Sequence, residues 1–267
     1  MLIIGEKINA SIKSVRTAIM ERDVNLLQNL AKSQAESGAD YIDVNVSTEK
    51  GRDFDIESME WAVEKIQEVV DKPLTIDSPD AKTLEAGLRR CQQKAMINSI
   101  TAEPGKLENI LPLAKEFDSE IIALALGDEG IPPEVEGRLR ACQKIAESAQ
   151  KQGIALEKLY FDPLVLTVSA DTSQGIITLE ALRGIKSQLP EAKTTLGLSN
   201  ISFGLPGRSL VNRSFLLMAI YAGLDSAVID PLDRKLMSVV KAGEMVLGKD
   251  NYCVNYLRAY KKGLLEF

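Results

Sequence analysis

Short runs of branched and apolar residues alternate along the chain with longer stretches whose apolar positions recur three or four apart. The runs LIIG (2–5), YIDVNV (41–46), PLTIDS (73–78), AMINSI (95–100), EIIALAL (120–126), KLYFD (158–162), TTLGLSN (194–200) and SAVID (226–230) have the length and composition of strands. Between them the spacing predicts helices over 24–37, 56–70, 80–90, 106–117, 134–151, 178–188, 209–222 and 233–247, with one more near 252–263. In the first of these, Val24, Leu27, Leu30, Ala31 and Ala35 make one apolar stripe, Asp23 stands at the N-cap and Gly38 just past the end. Eight strand–helix units in roughly 250 residues is the count and size of a (β/α)8 TIM barrel. The rival, an open doubly wound sheet, lacks its Gly-rich turn, because LIIG runs into EKIN. No linker, low-complexity tract or shift in composition divides the chain, so residues 1–267 read as a single domain.

Composition narrows the chemistry. A net charge of −6 argues against nucleic acid or anionic lipid as a main partner. No run approaches the ~18 apolar residues of a membrane span, and MLIIGEKINA has no basic segment leading into a long apolar one, so a cytoplasmic protein is expected. The chain has no histidine. That removes Ser-His and Cys-His nucleophilic pairs, His-ligated metals and His general bases together. Cys91, Cys142 and Cys253 are widely separated and form no CxxC, so they read as packing thiols and no bound metal is expected.

Catalytic groups of such a barrel gather at the C-terminal ends of the strands. There the runs deliver Glu6 and Asn9, Asp43 and Asn45, Asp77 and Ser78, Asn98 and Ser99, Gly127 and Asp128, Asp162, Ser199 and Asn200, and Asp230. Taken singly, an Asp, Asn or Ser at such a place is most often a helix cap or turn former, and this reading suits Asp128, Asp230, Ser78 and Ser99. It suits the recurrence of acids and amides at strand after strand less well. The rim lacks the cationic cluster a phosphate favours. A carboxylate accepts two parallel N–H bonds from a 2-amino-4-oxo ring edge and each amide offers one donor and one acceptor, so a pterin fits; a divalent cation or a sugar is the alternative. The long segments 127–133 and 163–176 fall on the same side, the second as pocket wall or lid.

GEKIN, DVN, IDS, MINS, YFDP and GLSNISFGLPGR…NRSFL occur in this order over essentially the whole chain. This set resembles the pterin-binding methyltransferases, which include methyltetrahydrofolate:corrinoid/iron–sulfur protein methyltransferase and the folate module of cobalamin-dependent methionine synthase. The resemblance implies a pterin held by Asp77, Asn98 and Asp162, with Glu6 from the opening motif and Gly197, Ser199 and Arg208 lining the same pocket. It places Asn200 beside N5, where the methyl group of 5-methyltetrahydrofolate is attached, and makes Asn200 and Asp77 the catalytic pair. It implies a corrinoid (cobalamin) carried by a separate protein, transfer in either direction, and a homodimer. Two other readings stand beside it: a folate-binding subunit without turnover, and a dihydropteroate synthase-like enzyme. The latter's family pattern has a Lys-containing loop after the seventh strand and an Arg-x-His near the eighth, whereas this chain has SNISFGLPGR and no histidine.

Overall fold

The computed structural model describes residues 1–266. Its strands are β1 (Leu2–Asn9), β2 (Tyr41–Asn45), β3 (Leu74–Asp77), β4 (Met96–Ile100), β5 (Glu120–Leu124), β6 (Leu159–Asp162), β7 (Lys193–Thr194) and β8 (Ser226–Ile229). All are parallel, in the spatial order β7-β6-β5-β4-β3-β2-β1-β8. A single bridge between Gly197 and Val228 joins the two ends, with the Val228 N–H donating to the Leu196 carbonyl at 2.9 Å. The helices are α1 (Lys13–Glu21), α2 (Val24–Glu36), α3 (Arg52–Gln67), α4 (Ala81–Arg90), α5 (Pro104–Glu116), α6 (Val135–Lys151), α7 (Gln174–Gln188), α8 (Arg208–Ala222), α9 (Arg234–Val246) and α10 (Val254–Lys261). This is the expected (β/α)8 barrel, with two additions, α1 before α2 and α10 at the end.

Local chemistry accounts for several boundaries. Asp23 accepts from the Leu26 N–H at the start of α2, and Gly38 takes φ +100° just after its end. Asp80 caps α4 by accepting from Lys82 and Thr83, and Pro104 opens α5, where a missing N–H costs nothing. Other expectations need correction. Asp128, Asp230, Ser78 and Ser99 are not the N-caps, which are Glu134, Asp233, Asp80 and Glu103; Asp230 and Ser78 are the turn formers of that reading, accepting from the N–H groups of Leu232 and Asp80. The run 194–200 is strand only at its start: beyond Gly197 the chain tightens into a 3-10 turn, Leu198–Ser202, which buries Leu198 and Ile201. In β1 the pairing with β2 shifts between Gly5 and Ile8, so Glu6 lies within the strand rather than at its end.

Two apolar cores separate the strands from the helices, and a third, smaller one fills the barrel itself. That inner cluster is Ile4, Met96, Ile122 and Tyr160, with Leu2, Tyr41, Leu124 and Val228 against it. Below it Glu120 accepts from the hydroxyls of Tyr41 and Tyr160 and from Lys193. Since β2 and β5 are not neighbours, the Tyr41–Glu120 bond at 3.0 Å crosses the barrel interior and seals its lower end. Side chains two residues apart on a strand share a face. Stepping up from Ile4, Tyr41, Thr75, Met96 and Tyr160 therefore gives Glu6, Asp43, Asp77, Asn98 and Asp162. The barrel has a plugged base, an apolar waist and a polar mouth.

Candidate active site

The mouth is organised by pairs of acids and amides. Asn45 donates to Asp77 at 2.9 Å between neighbouring strands. Asn98 donates to Asp43 at 3.2 Å from β4 to β2, passing over β3 and hence through the interior. Asp43 is 2% exposed. Burial and then the facing Asp77 charge push its carboxyl well above the ordinary range. Burial raises Asp77 to about 6, with the Asn45 bond pulling the other way. Glu6 is raised to about 7 by burial and by Asp230, against the opposing influence of Lys7 and Arg208. Burial and the facing charges therefore resist full ionisation of this pair of carboxyls on adjacent strands.

Asp162 closes the other side. It is 9% exposed, and its Oδ1 accepts the Leu164 N–H at 2.7 Å. Burial raises its carboxyl to about 6, against the N–H groups of Leu164 and Gly197 and the charge of Arg138. Gly197 thus joins Asp162 to the turn carrying Ser199 and Asn200. Arg208 fastens that turn, donating to the Ser199 carbonyl at 2.7 Å and to Ser202 Oγ at 3.0 Å. Among the described residues the Asn200 amide has no hydrogen-bond partner, and the side chain is exposed. Glu6, Ser199, Arg208, Ser209, Asn212 and Asp230 line one cleft of about 310 Å3 at this side of the mouth.

All eight candidate residues stand on the strand-end side of the barrel, in two groups: Glu6, Asp77 and Asn98 with Asp43, and Asp162, Gly197, Ser199, Asn200 and Arg208 around the β7 turn. Asp43 and Asn45 were visible as polar residues of the second strand, yet their tie to Asn98 and Asp77 had no local signal. Lys7 was missed; its Nζ meets Asp230 Oδ2 at 3.0 Å. Arg138 was missed although it left a trace, since it sits on the apolar stripe of α6 with Ala141, Cys142 and Ile145. Burial pushes the thiols of Cys91 and Cys142 upward, the former to about 12, which leaves both unreactive packing groups. Among the described residues no three His, Cys, Asp or Glu side chains are arranged to hold a metal ion.

Each raised carboxyl binds its proton more tightly folded than unfolded. Folding therefore takes up protons between about pH 4 and 7, and stability falls as pH rises through that window. The ligand-free protein is expected to resist urea better at pH 5.5 than at pH 7.5. Asp77→Asn should gain on the order of 1–2 kcal/mol at pH 7.5, allowing for screening at the open mouth, and flatten the dependence. Urea titrations of both proteins at the two pH values check this; a variant no more stable than wild type at pH 7.5 contradicts it.

Residues 5–230 match the family of pterin binding enzymes. The chain belongs to that family. It is 37% identical over 265 residues to the methylcorrinoid:tetrahydrofolate methyltransferase of Eubacterium limosum, covering 98% of this chain and 97% of that protein. It is 31% identical over 249 residues to methionine synthase of Mycobacterium tuberculosis, covering 86% of this chain but only 20% of that longer protein. Among solved structures, a dihydropteroate synthase of Clostridium difficile with pteroic acid superposes with a TM-score of 0.71 at 21% identity, over 92% of this chain and 96% of that one. One of Yersinia pestis with a pterine-sulfa conjugate gives 0.69 at 18% identity, over 92% and 93% of the two chains. At these identities the likeness is one of fold: this chain shares its barrel with the synthases.

Proposed function

We propose that this protein, as one domain over residues 1–267, moves a methyl group between N5 of 5-methyltetrahydrofolate and the cobalt of a corrinoid carried by a separate protein. The observation that carries this is the likeness, over nearly the full length of both chains, to a methylcorrinoid:tetrahydrofolate methyltransferase. The mouth supports it. A flat pterin lies over the apolar waist with its polar edges toward the acids and amides: Asp162 accepts the N–H pair of the 2-amino-4-oxo edge, and Asn98 and Asp77 take other ring donors and acceptors.

The corrinoid supplies the metal that accepts or donates the methyl group. This chain's residues manage the nitrogen. When the N5–methyl bond breaks, its electron pair stays on N5, which takes up a proton from water to become the N–H of tetrahydrofolate, and a hydrogen-bond donor must meet the charge that develops there on the way. Asn200 is the donor, with its amide free and its backbone pinned by Arg208. Asp77, ionised near neutral pH, accepts from the ring edge and orders the water around N5. No protein nucleophile is required, so the lack of histidine is no obstacle. Forward and reverse transfer share one transition state, and the same residues serve both.

Free thiols at Cys91, Cys142 and Cys253 suit a reducing, cytoplasmic setting, and no helix of the described residues is long and apolar enough to cross a membrane. The outer face of α8 carries exposed Leu210, Leu217 and Tyr221 along one stripe, with Met218 beside it. A second copy of the chain is proposed to cover that face in a homodimer, and a sedimentation mass of one 29.2 kDa chain would overturn it.

The decisive assay is anaerobic. With 5-methyltetrahydrofolate and free cob(I)alamin, the Co(I) absorbance is expected to decay only when the protein is present. No decay together with tight folate binding would favour the folate-binding subunit, and no decay without folate binding would remove the pterin reading.

A further inference from the structure

Among the described residues Arg138 is the largest side chain that is wholly enclosed. Its guanidinium makes five hydrogen bonds, none to a carboxylate. Nε donates to the Pro132 carbonyl at 3.1 Å, and Nη2 donates to Gln174 Oε1 at 3.0 Å. Nη1 donates to the carbonyls of Pro163 at 3.0 Å and Leu164 at 2.7 Å, and to Thr178 Oγ1 at 3.4 Å. One cation therefore ties together the segment before α6, the segment after β6 and the first turns of α7. Burying a cation is costly, and an apolar residue at this point of the α6 stripe would pack without that cost.

The grip falls on the two residues that follow Asp162. Leu164 donates its N–H to Asp162 at 2.7 Å and offers its carbonyl to Arg138 at 2.7 Å, so one peptide segment links the cation to the carboxylate. Leu164 also holds φ +67°, a left-handed conformation that a leucine does not adopt unaided and that persists only where its surroundings over-determine it. The Arg138 contacts to Pro163 and Leu164 supply that determination.

We propose that Arg138 is a positioning residue for folate binding, gripping Pro163 and Leu164 so that the Leu164 turn holds Asp162 in place for the pterin edge. This rests on the reading of Asp162 as the pterin anchor. Apart from the N–H groups of Leu164 and Gly197, the charged and titratable groups that face Asp162 are Arg138 and the Cys142 thiol, both on α6. Burial keeps that thiol protonated, which leaves Arg138 as the charge acting on the carboxylate. Its influence lowers the Asp162 pKa, so its removal raises it.

The test is calorimetric binding of 5-methyltetrahydrofolate to the full chain from pH 5 to pH 8, for wild type, Arg138→Met, Arg138→Lys and Asp162→Asn. Arg138→Met is expected to bind at least about tenfold more weakly at pH 7, with the acid-side loss of affinity moved to higher pH. Arg138→Lys should return that limb to its wild-type position while recovering only part of the affinity, because an ammonium cannot span carbonyls on so many sides. If Arg138→Met does not fold, Arg138→Gln keeps an N–H donor without the charge and is expected to move the limb in the same direction. Wild-type affinity in a folded Arg138→Met or Arg138→Gln overturns the proposal. So does weakened binding with an unmoved acid limb in the neutral variants, since that marks a role in folding alone. Unchanged affinity in Asp162→Asn would instead remove the anchor itself, a failure distinct from that of Arg138.

Discussion

Replacing Asn200 with alanine is expected to slow methyl transfer by roughly 10²–10³-fold, the scale for losing one preorganised donor at a site of developing charge. Folate affinity should change far less, about threefold at most, because the interaction strengthens only as the N5–methyl bond breaks. The structure gives reasons for both halves. The turn Leu198–Ser202 is anchored by buried Leu198 and Ile201, by the Val168 N–H donating to the Ile201 carbonyl at 3.0 Å, and by Arg208 on the Ser199 carbonyl. Asn200 thus offers an exposed amide, bonded to no other group among the described residues, from a turn that is itself held in place. Asn200→Asp is the sharper control, being nearly isosteric yet unable to donate when ionised, and it should be at least as slow as the alanine variant. Stopped-flow rates with cob(I)alamin, set beside folate binding, separate the two effects. Equal losses in rate and binding would make Asn200 a holder of the ring rather than a participant in the transfer.

Asp162→Ala is expected to do the opposite, raising the folate dissociation constant by roughly 10²–10⁴-fold, since two charge-assisted N–H bonds at about 1.5–3 kcal/mol each are lost together. Transfer from folate that does bind, driven to saturation, should fall much less. The enclosure of Asp162 underlies the size of the effect: at 9% exposure little water is available to take over the ring donors. The same enclosure lifts its carboxyl to about 6, so wild-type affinity should itself weaken below that pH as the acceptor is protonated. Calorimetry on the folded variant checks the prediction, and normal folate binding would mean that the ring lies in another orientation.

Much of this protein is legible along the chain because barrel strands and helices announce themselves by local period. The eight runs, the helices between them and the caps at Asp23 and Gly38 depend on neighbours within a few residues. Helix α1 (Lys13–Glu21) escaped that reading: it carries three buried residues, Val15, Ala18 and Ile19, and lacks a side-chain cap. The seventh run misled because TTLGLSN alternates like a strand, whereas burying Leu198 and Ile201 in the outer core bends the chain away after Gly197. Asp230 reads as a cap or turn former and is the latter, accepting from the Leu232 N–H, but its pairing with Lys7, far along the chain, has no local signal.

The sequence by itself determined that the fold is a (β/α)8 barrel, that its rim is built of carboxylates and amides without histidine, and that six short motifs in order resemble the pterin-binding methyltransferases. Those properties reside in residue type and spacing, which folding does not alter. Tertiary structure alone decided how the acids work. Asn98 reaches Asp43 over an intervening strand, Glu6 and Arg208 meet at one cleft, and Arg138 grips the loop beyond Asp162 from another helix. The physical reason is that burial and through-space charge set the protonation of these groups, and both depend on contacts between segments tens to hundreds of residues apart. Those contacts exist only once the barrel has closed.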